Sequence, residues 1–163
     1  MDLRDELLIG KPLDAGQEAL LAVMLTREYV GRLFDELLFK PEGITDQQYN
    51  VVRILKGGPP EGYLIREIRR RMVARCADVP RLVDRMVAQG LVEKSEDPVD
   101  RRGSRVRITA KARAVEARIE GPRRELYARL AQVLPPGDCA TLNRLLEQLR
   151  DGIREILGGE QEE

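Results

Sequence analysis

Histidine is absent from all 163 residues. Without an imidazole there is no general base of the usual kind, no Ser-His-Asp triad and no His-ligated metal. Cysteine is almost as scarce: Cys76 and Cys139 lie far apart, with no CxxC and no companion ligands. Two such thiols fit a reducing compartment and packing roles better than a disulfide framework. Aromatic residues make up only 4% of the chain, which argues against the base-stacking platforms of single-strand binders. No apolar run approaches the length of a membrane span. The start, Met1-Asp-Leu-Arg-Asp-Glu6, is acidic and lacks the basic and apolar stretches of a secretion signal. The expectation is a cytoplasmic protein with no membrane association, no cofactor and no metal. A carboxylate enzyme built on Glu28 with Asp35 or Glu36 is the catalytic alternative. Those residues sit among Arg27 and Arg32 and read as a solvated helix face, and no glycine-rich phosphate loop accompanies them. An enzyme is not expected.

Net charge is also absent, with 28 basic residues against 28 acidic ones. The distribution is uneven. Between Tyr63 and Arg113 there are fourteen basic residues and seven acidic ones, a local +7 that leaves −7 for the rest. A basic module between acidic flanks suits phosphate binding. A solvated, arginine-rich helical face is the bland alternative.

What is present is helical periodicity. Residues 1–16 carry Gly10, Pro12 and Gly16 and read as a loose arm. From Gln17 to Phe39, Leu20, Val23, Met24, Val30, Leu33, Phe34, Leu37 and Leu38 recur at helical spacing, until Pro41 and Gly43 stop them. Thr45-Asp-Gln-Gln48 is a capping box for a second helix that buries Tyr49, Val52 and Leu55. Gly57-Gly-Pro-Pro-Glu-Gly62 ends it. Leu64, Ile65, Ile68 and Met72 outline a short third helix with Arg66, Arg69, Arg70 and Arg71 outward.

The sharpest pattern follows. Val79, Leu82, Val83, Met86 and Val87 hold one face, Asp78 is a suitable N-cap, Pro80 falls in the first turn and Gly90 fits the exit. The period then changes. Leu91–Lys94 and Arg105–Thr109 read as the strands of a hairpin whose tip holds Pro98 and Gly103. Thr109 caps a further helix through Ala114, Val115 and Ile119, which Gly121-Pro122 should kink or break before it resumes to Leu134. After Pro135-Pro-Gly137, a last helix, Asp138 to Leu157, lines up Leu142, Leu145, Leu146, Leu149, Ile153 and Ile156. An acidic tail follows.

Short helices followed by a hairpin form a winged helix-turn-helix. The predicted class is mainly α with a small two- or three-stranded antiparallel wing. The outward residues of the helix starting near Val79 are Pro80, Arg81, Asp84 and Arg85, with Arg75 just ahead of it. Arginine is the commonest reader of guanine edges, whereas exposed ion pairs with Asp78 or Asp84 are the alternative for Arg81 and Arg85. At the hairpin tip, Asp100, Arg101 and Arg102 place two guanidiniums where a minor groove could accept one. An ordinary polar turn is the alternative. Lys94, lower on the wing, reads as a bystander.

Four segments carry a family resemblance. They are Leu82-Val-Asp-Arg-Met-Val-Ala-Gln-Gly-Leu-Val92, Asp97-Pro-Val-Asp-Arg-Arg102, Val106-Arg-Ile-Thr-Ala-Lys-Ala112 and Ile44-Thr-Asp-Gln-Gln-Tyr-Asn-Val-Val-Arg-Ile-Leu55. In order and spacing they resemble the MarR family of bacterial transcriptional regulators over roughly residues 17–157. The resemblance implies a homodimer that binds a palindromic double-stranded operator, as a repressor released by a small phenolic or anionic effector. It implies dimerisation helices at 17–43 and 110–157, a DNA-binding domain at 44–109, and arm and tail at 1–16 and 158–163. Arg102 matches the wing arginine, Asp100 its supporting carboxylate and Arg81 a recognition-helix position. Pro80 departs from the frequent Ser or Thr of the family, so that hydroxyl's phosphate contact is lost. Tyr29, Tyr49 and Arg53 are candidates for the effector cleft, although Tyr49 lies on the apolar face. The first helix has no cysteine and the chain no histidine, which sets it apart from the oxidant-sensing and zinc-responsive members. A winged helix used as a protein-interaction module, without DNA, is the competing reading.

Overall fold

Capping side chains mark where the helices begin. The computed structural model describes residues 3–73, 78–98 and 103–158. The stretch expected to be a loose arm holds one helical turn, α1 (Leu3–Glu6). Helix α2 (Ala15–Phe34) starts two residues earlier than the periodicity indicated, because Asp14 and Gln17 cap each other reciprocally. It then loosens into a π turn at Asp35–Phe39 and tightens into a 3-10 turn at Lys40–Glu42. Gly43, at φ 66°, ends the run. Within it Lys40 bridges Asp35 and Glu36. The Lys40 hydrogen bond, and then its charge, hold the Glu36 carboxyl below the usual range. The Lys40 ammonium is raised in turn by its hydrogen bonds to Glu36 and Asp35.

The predicted capping box is present at α3 (Asp46–Lys56). Thr45 Oγ1 accepts the Gln48 N–H at 3.3 Å, and the Gln48 side chain accepts the Thr45 N–H at 3.0 Å. A two-residue strand, β1 (Tyr63–Leu64), precedes α4 (Ile65–Arg71). Helix α5 (Val79–Ala88) follows, then β2 (Val92–Glu96) and β3 (Ser104–Ile108). The sheet order is β1-β3-β2, antiparallel throughout, with Tyr63 opposite Val106 and Val92 opposite Ile108. Gly62 makes the approach of β1 possible. At its φ of 81°, a Cβ would lie 2.0 Å from the Val106 carbonyl oxygen.

Helix α6 (Ala110–Ala131) is not broken at Gly121-Pro122, one of the two outcomes expected there. Proline removes one N–H from the ladder and crowds the carbonyl four residues back, and its ring also crowds the preceding residue's Cβ. Gly121 has none. Helix α7 (Pro136–Ile156) completes the described chain. No helix among the described residues is long and apolar enough to cross a membrane.

The chain divides into two compact units, Met1–Glu120 and Gly121–Glu163. In the first, Ile68, Leu82, Met86, Val52, Val106 and Ile119 are fully buried. Each contributes about 1.5–3 kcal/mol by leaving water. Lys56 pairs with the buried Glu116, and Arg118 grips Glu42 through Nε and a terminal nitrogen at 2.9 and 2.7 Å, so α6 is tied to α3 and to the 3-10 turn. The Glu42 hydrogen bond holds the Arg118 guanidinium above its ordinary range. Helices α2 and α7 contain no buried residue at all.

Candidate nucleic-acid interface

Helix α5 is polar on one side and apolar on the other, as its spacing required. Val79, Leu82, Val83 and Met86 are buried, while Pro80, Arg81, Asp84 and Arg85 are exposed. Val87, expected on the apolar stripe, lies at its margin and is partly exposed. Asp78 caps the helix by accepting the Arg81 N–H at 3.0 Å, and Pro80 sits in the first turn where no donor is needed. The Arg81 side chain is 82% exposed and only 4.0 Å from Asp78, a screened pair worth little. Arg85 has no ion pair among the described residues. Asp84 is held differently: Lys94 Nζ reaches it from β2 at 2.8 Å.

The wing is fixed at its base. Asp97, 3% exposed, accepts two bonds from Arg105, at 2.9 Å from Nε and 2.6 Å from a terminal nitrogen. The other terminal nitrogen of Arg105 donates to the Gly62 carbonyl at 3.1 Å. The Asp97 N–H bonds the Gly103 carbonyl and closes the hairpin just below its tip. Arg71 stacks over the Tyr63 ring at 4.2 Å and ties α4 to the same sheet. A helix with an arginine-rich outward face therefore lies beside a braced three-stranded wing.

That arrangement agrees with what the chain is similar to. Residues 42–103 match the model of the MarR family. Over that segment the chain is similar to the MarR family.

MarR-family proteins are transcriptional regulators and not enzymes. A curated relative, the HTH-type transcriptional repressor IacR of Pseudomonas putida, is 34% identical over 83 residues, 51% of this chain. The aligned part spans about half the length of that repressor, 50%. Among solved structures, a mutant MarR from E. coli complexed with operator DNA superposes with a TM-score of 0.69 at 25% identity, over 78% of this chain and 90% of that one. A MarR transcription factor from Planctomyces limnophilus is 29% identical with a TM-score of 0.62, over 85% and 98%. The PcaV regulator of Streptomyces coelicolor, solved with its natural ligand, shares the fold at a TM-score of 0.74 and 21% identity, over 86% and 97%.

The remaining sequence candidates fall in three places. Arg75, Asp100, Arg101 and Arg102 lie outside the described residues, as does Cys76. Pro80, Arg81, Asp84 and Arg85 share the outward face of α5. The three effector candidates differ in exposure. Tyr49 is 5% exposed, its ring centroid 5.0 Å from that of Phe39, which places it in the core; Tyr29 and Arg53 are exposed.

Two cavities lie elsewhere. One of about 370 Å³ is lined by Leu64, Ile65, Arg66, Pro80, Lys94 and the Gly103–Ser104 edge. Another of about 200 Å³ lies among Leu55, Pro59, Pro60, Glu93, Arg107 and Arg113. Cys139, near the start of α7, is half-buried with its thiol 3.7 Å from the Leu134 carbonyl. No cluster among the described residues could hold a metal ion.

Sequence reading missed Lys94 and the Asp97–Arg105–Gly62 brace. Alternation along β2 shows which residues point outward, yet it does not show which outward residue of a neighbouring helix each one meets.

Proposed function

We propose that this chain is a homodimeric, sequence-specific regulator of transcription that binds a palindromic double-stranded operator through α5 and the wing. The observation that carries the proposal is the split face of α5, with Arg81 and Arg85 exposed beside a braced wing, Arg81 in no more than a screened pair with Asp78. An arginine in a major groove can hold a guanine by two bonds. The local +7 between Tyr63 and Arg113 supplies the phosphate attraction. The operator complex of the 25%-identical MarR structure supports the same reading. By sequence, Arg75, Asp100, Arg101 and Arg102 belong to this interface.

A second copy of the chain accounts for the bare helices. Leu20, Met24 and Val30 on α2, and Leu142, Leu145 and Ile153 on α7, are exposed in the single chain. Rows of large aliphatics at helical spacing left to water are the signature of an interface. The reading extends to a cytoplasmic repressor released by a small phenolic or anionic effector. Tyr29 and Arg53 remain its accessible candidate contacts; Tyr49 does not.

Selection of bound duplexes from a random pool tests this. A palindrome whose affinity falls steeply with salt is expected. A non-palindromic or empty selection, with the chain instead retaining a protein partner in high salt, would favour the interaction-module reading.

A further inference from the structure

The exit of α5 is held by α6. Three successive carbonyls there, those of Gln89, Gly90 and Leu91, all accept bonds from the opening residues of α6. Lys111 Nζ donates to the Gln89 carbonyl at 2.6 Å. The Thr109 hydroxyl is shared between the Gly90 and Leu91 carbonyls, at 2.8 and 3.0 Å. The Thr109 N–H also donates to the Leu91 carbonyl at 3.2 Å. The same hydroxyl accepts the Ala112 N–H and so caps α6. Gly90, at φ 69°, turns the chain so that these carbonyls face Thr109 and Lys111. Gln89 is gripped once more from α3, where the buried Gln48 donates to its side-chain oxygen at 2.7 Å. The last carbonyls of α5 itself, those of Arg85, Met86 and Val87, accept from the N–H groups of Gln89, Leu91 and Gly90 in the turn that follows. The carbonyls just past them, which would otherwise face water, go to Thr109 and Lys111, and the Lys111 charge suits the negative end of the α5 dipole.

We propose that Lys111 and Thr109 are positioning residues that lock α5 to α6 and so set which separation of operator half-sites the protein accepts. The inference rests on the dimeric, DNA-binding reading above. In a dimer of winged helices each recognition helix reads one half-site, so the accepted separation is decided by what each helix is attached to. Helix α6 continues unbroken to Ala131 and so carries the chain out of the winged helix. Its first turn is the attachment. Neither residue needs to touch a base. Their effect is to make α5 move with α6 rather than roll on its own core face.

The experiment compares parent, Lys111→Met and Lys111→Arg on three duplexes: the selected palindrome, and versions with the half-sites about one base pair closer or farther apart. Lys111→Met keeps the aliphatic stem and removes the donor, while Lys111→Arg restores one. The parent should prefer the selected spacing. In Lys111→Met that preference should shrink by about threefold to tenfold, with thermal melting and dimer mass unchanged. Lys111→Arg should recover most of it. Equal discrimination by parent and Lys111→Met would overturn the inference and leave the DNA reading intact. So would a uniform loss on all three duplexes, which is what a merely structural lysine produces. A parent that binds none of the duplexes overturns the DNA reading and the inference with it.

Discussion

Lys94 on β2 and Asp84 on α5 are joined across the gap between wing and helix, Nζ to Oδ1 at 2.8 Å. The lysine thereby covers a carboxylate on the face proposed to meet DNA. Lys94 reads in the sequence as a bystander, and its partner changes that.

The first prediction follows from the pair. Lys94→Ala should weaken duplex binding by about tenfold, because an uncovered Asp84 is repelled by the backbone. Adding Asp84→Asn should restore most of the loss, although the lysine is still missing. Titration of the three proteins at one salt concentration measures it. A single mutant as tight as the parent would remove the pair from the interface.

Arg102→Ala should cost on the order of 1–3 kcal/mol in operator binding and almost nothing in stability. The prediction rests on sequence position, at the tip of a hairpin whose base is held by Asp97 and Arg105. Narrow minor grooves concentrate negative potential, and a guanidinium exploits it. Asp100→Ala should lose less, and the double mutant should be less than additive. Equal affinities for parent and Arg102→Ala would sink the wing assignment.

Gly62→Ala should destabilise the fold by about 2–4 kcal/mol, since it adds a strained φ to a clash with the Val106 carbonyl. Melting should fall by roughly 5–15 °C. Gly10→Ala, where a Cβ meets nothing within 4 Å, is the control. Similar melting of both variants would show that β1 does not need its close approach to β3.

Leu145→Glu with Leu149→Glu should abolish the dimer. Both leucines lie on α7, where no residue is buried within the single chain. Sedimentation at micromolar concentration should report monomer or insoluble chain. A dimer of parental mass would place the interface elsewhere.

How far the sequence led depended on the range of each signal. Local chemistry was readable: the Thr45 and Asp78 caps, the glycine exit at Gly90 and the change of period after it all stand where they were placed. These features act over three or four residues. Signals that were too short or too distant were not readable. Tyr63–Leu64 is too brief to show a strand's alternation, and its pairing with β3, more than forty residues away, depends on Gly62. Pro122 announces a break in any helix read alone, and Gly121 before it removes one part of the conflict, the Cβ crowding. Tyr49 offers a hydroxyl to a cleft on paper, yet its ring packs at a tilt against Phe39 in the core. The arginine face of α5 was legible from periodicity. The braces that hold the wing, Lys94 to Asp84 and Arg105 to Asp97, join residues whose spacing carries no period at all.

The π turn at Asp35–Phe39 has a consequence for how such a chain tolerates length changes. A π turn accommodates one residue more than a helical turn needs. Deleting a single residue there would let the helix regularise at little local cost, but would rotate everything before it by about 100° relative to Leu38 and Phe39. The aliphatic row of Leu20, Met24 and Val30 would then point a quarter-turn or more away from its present bearing. One codon lost in this turn would leave both the winged helix and α2 folded while re-aiming the surface proposed to meet a second copy.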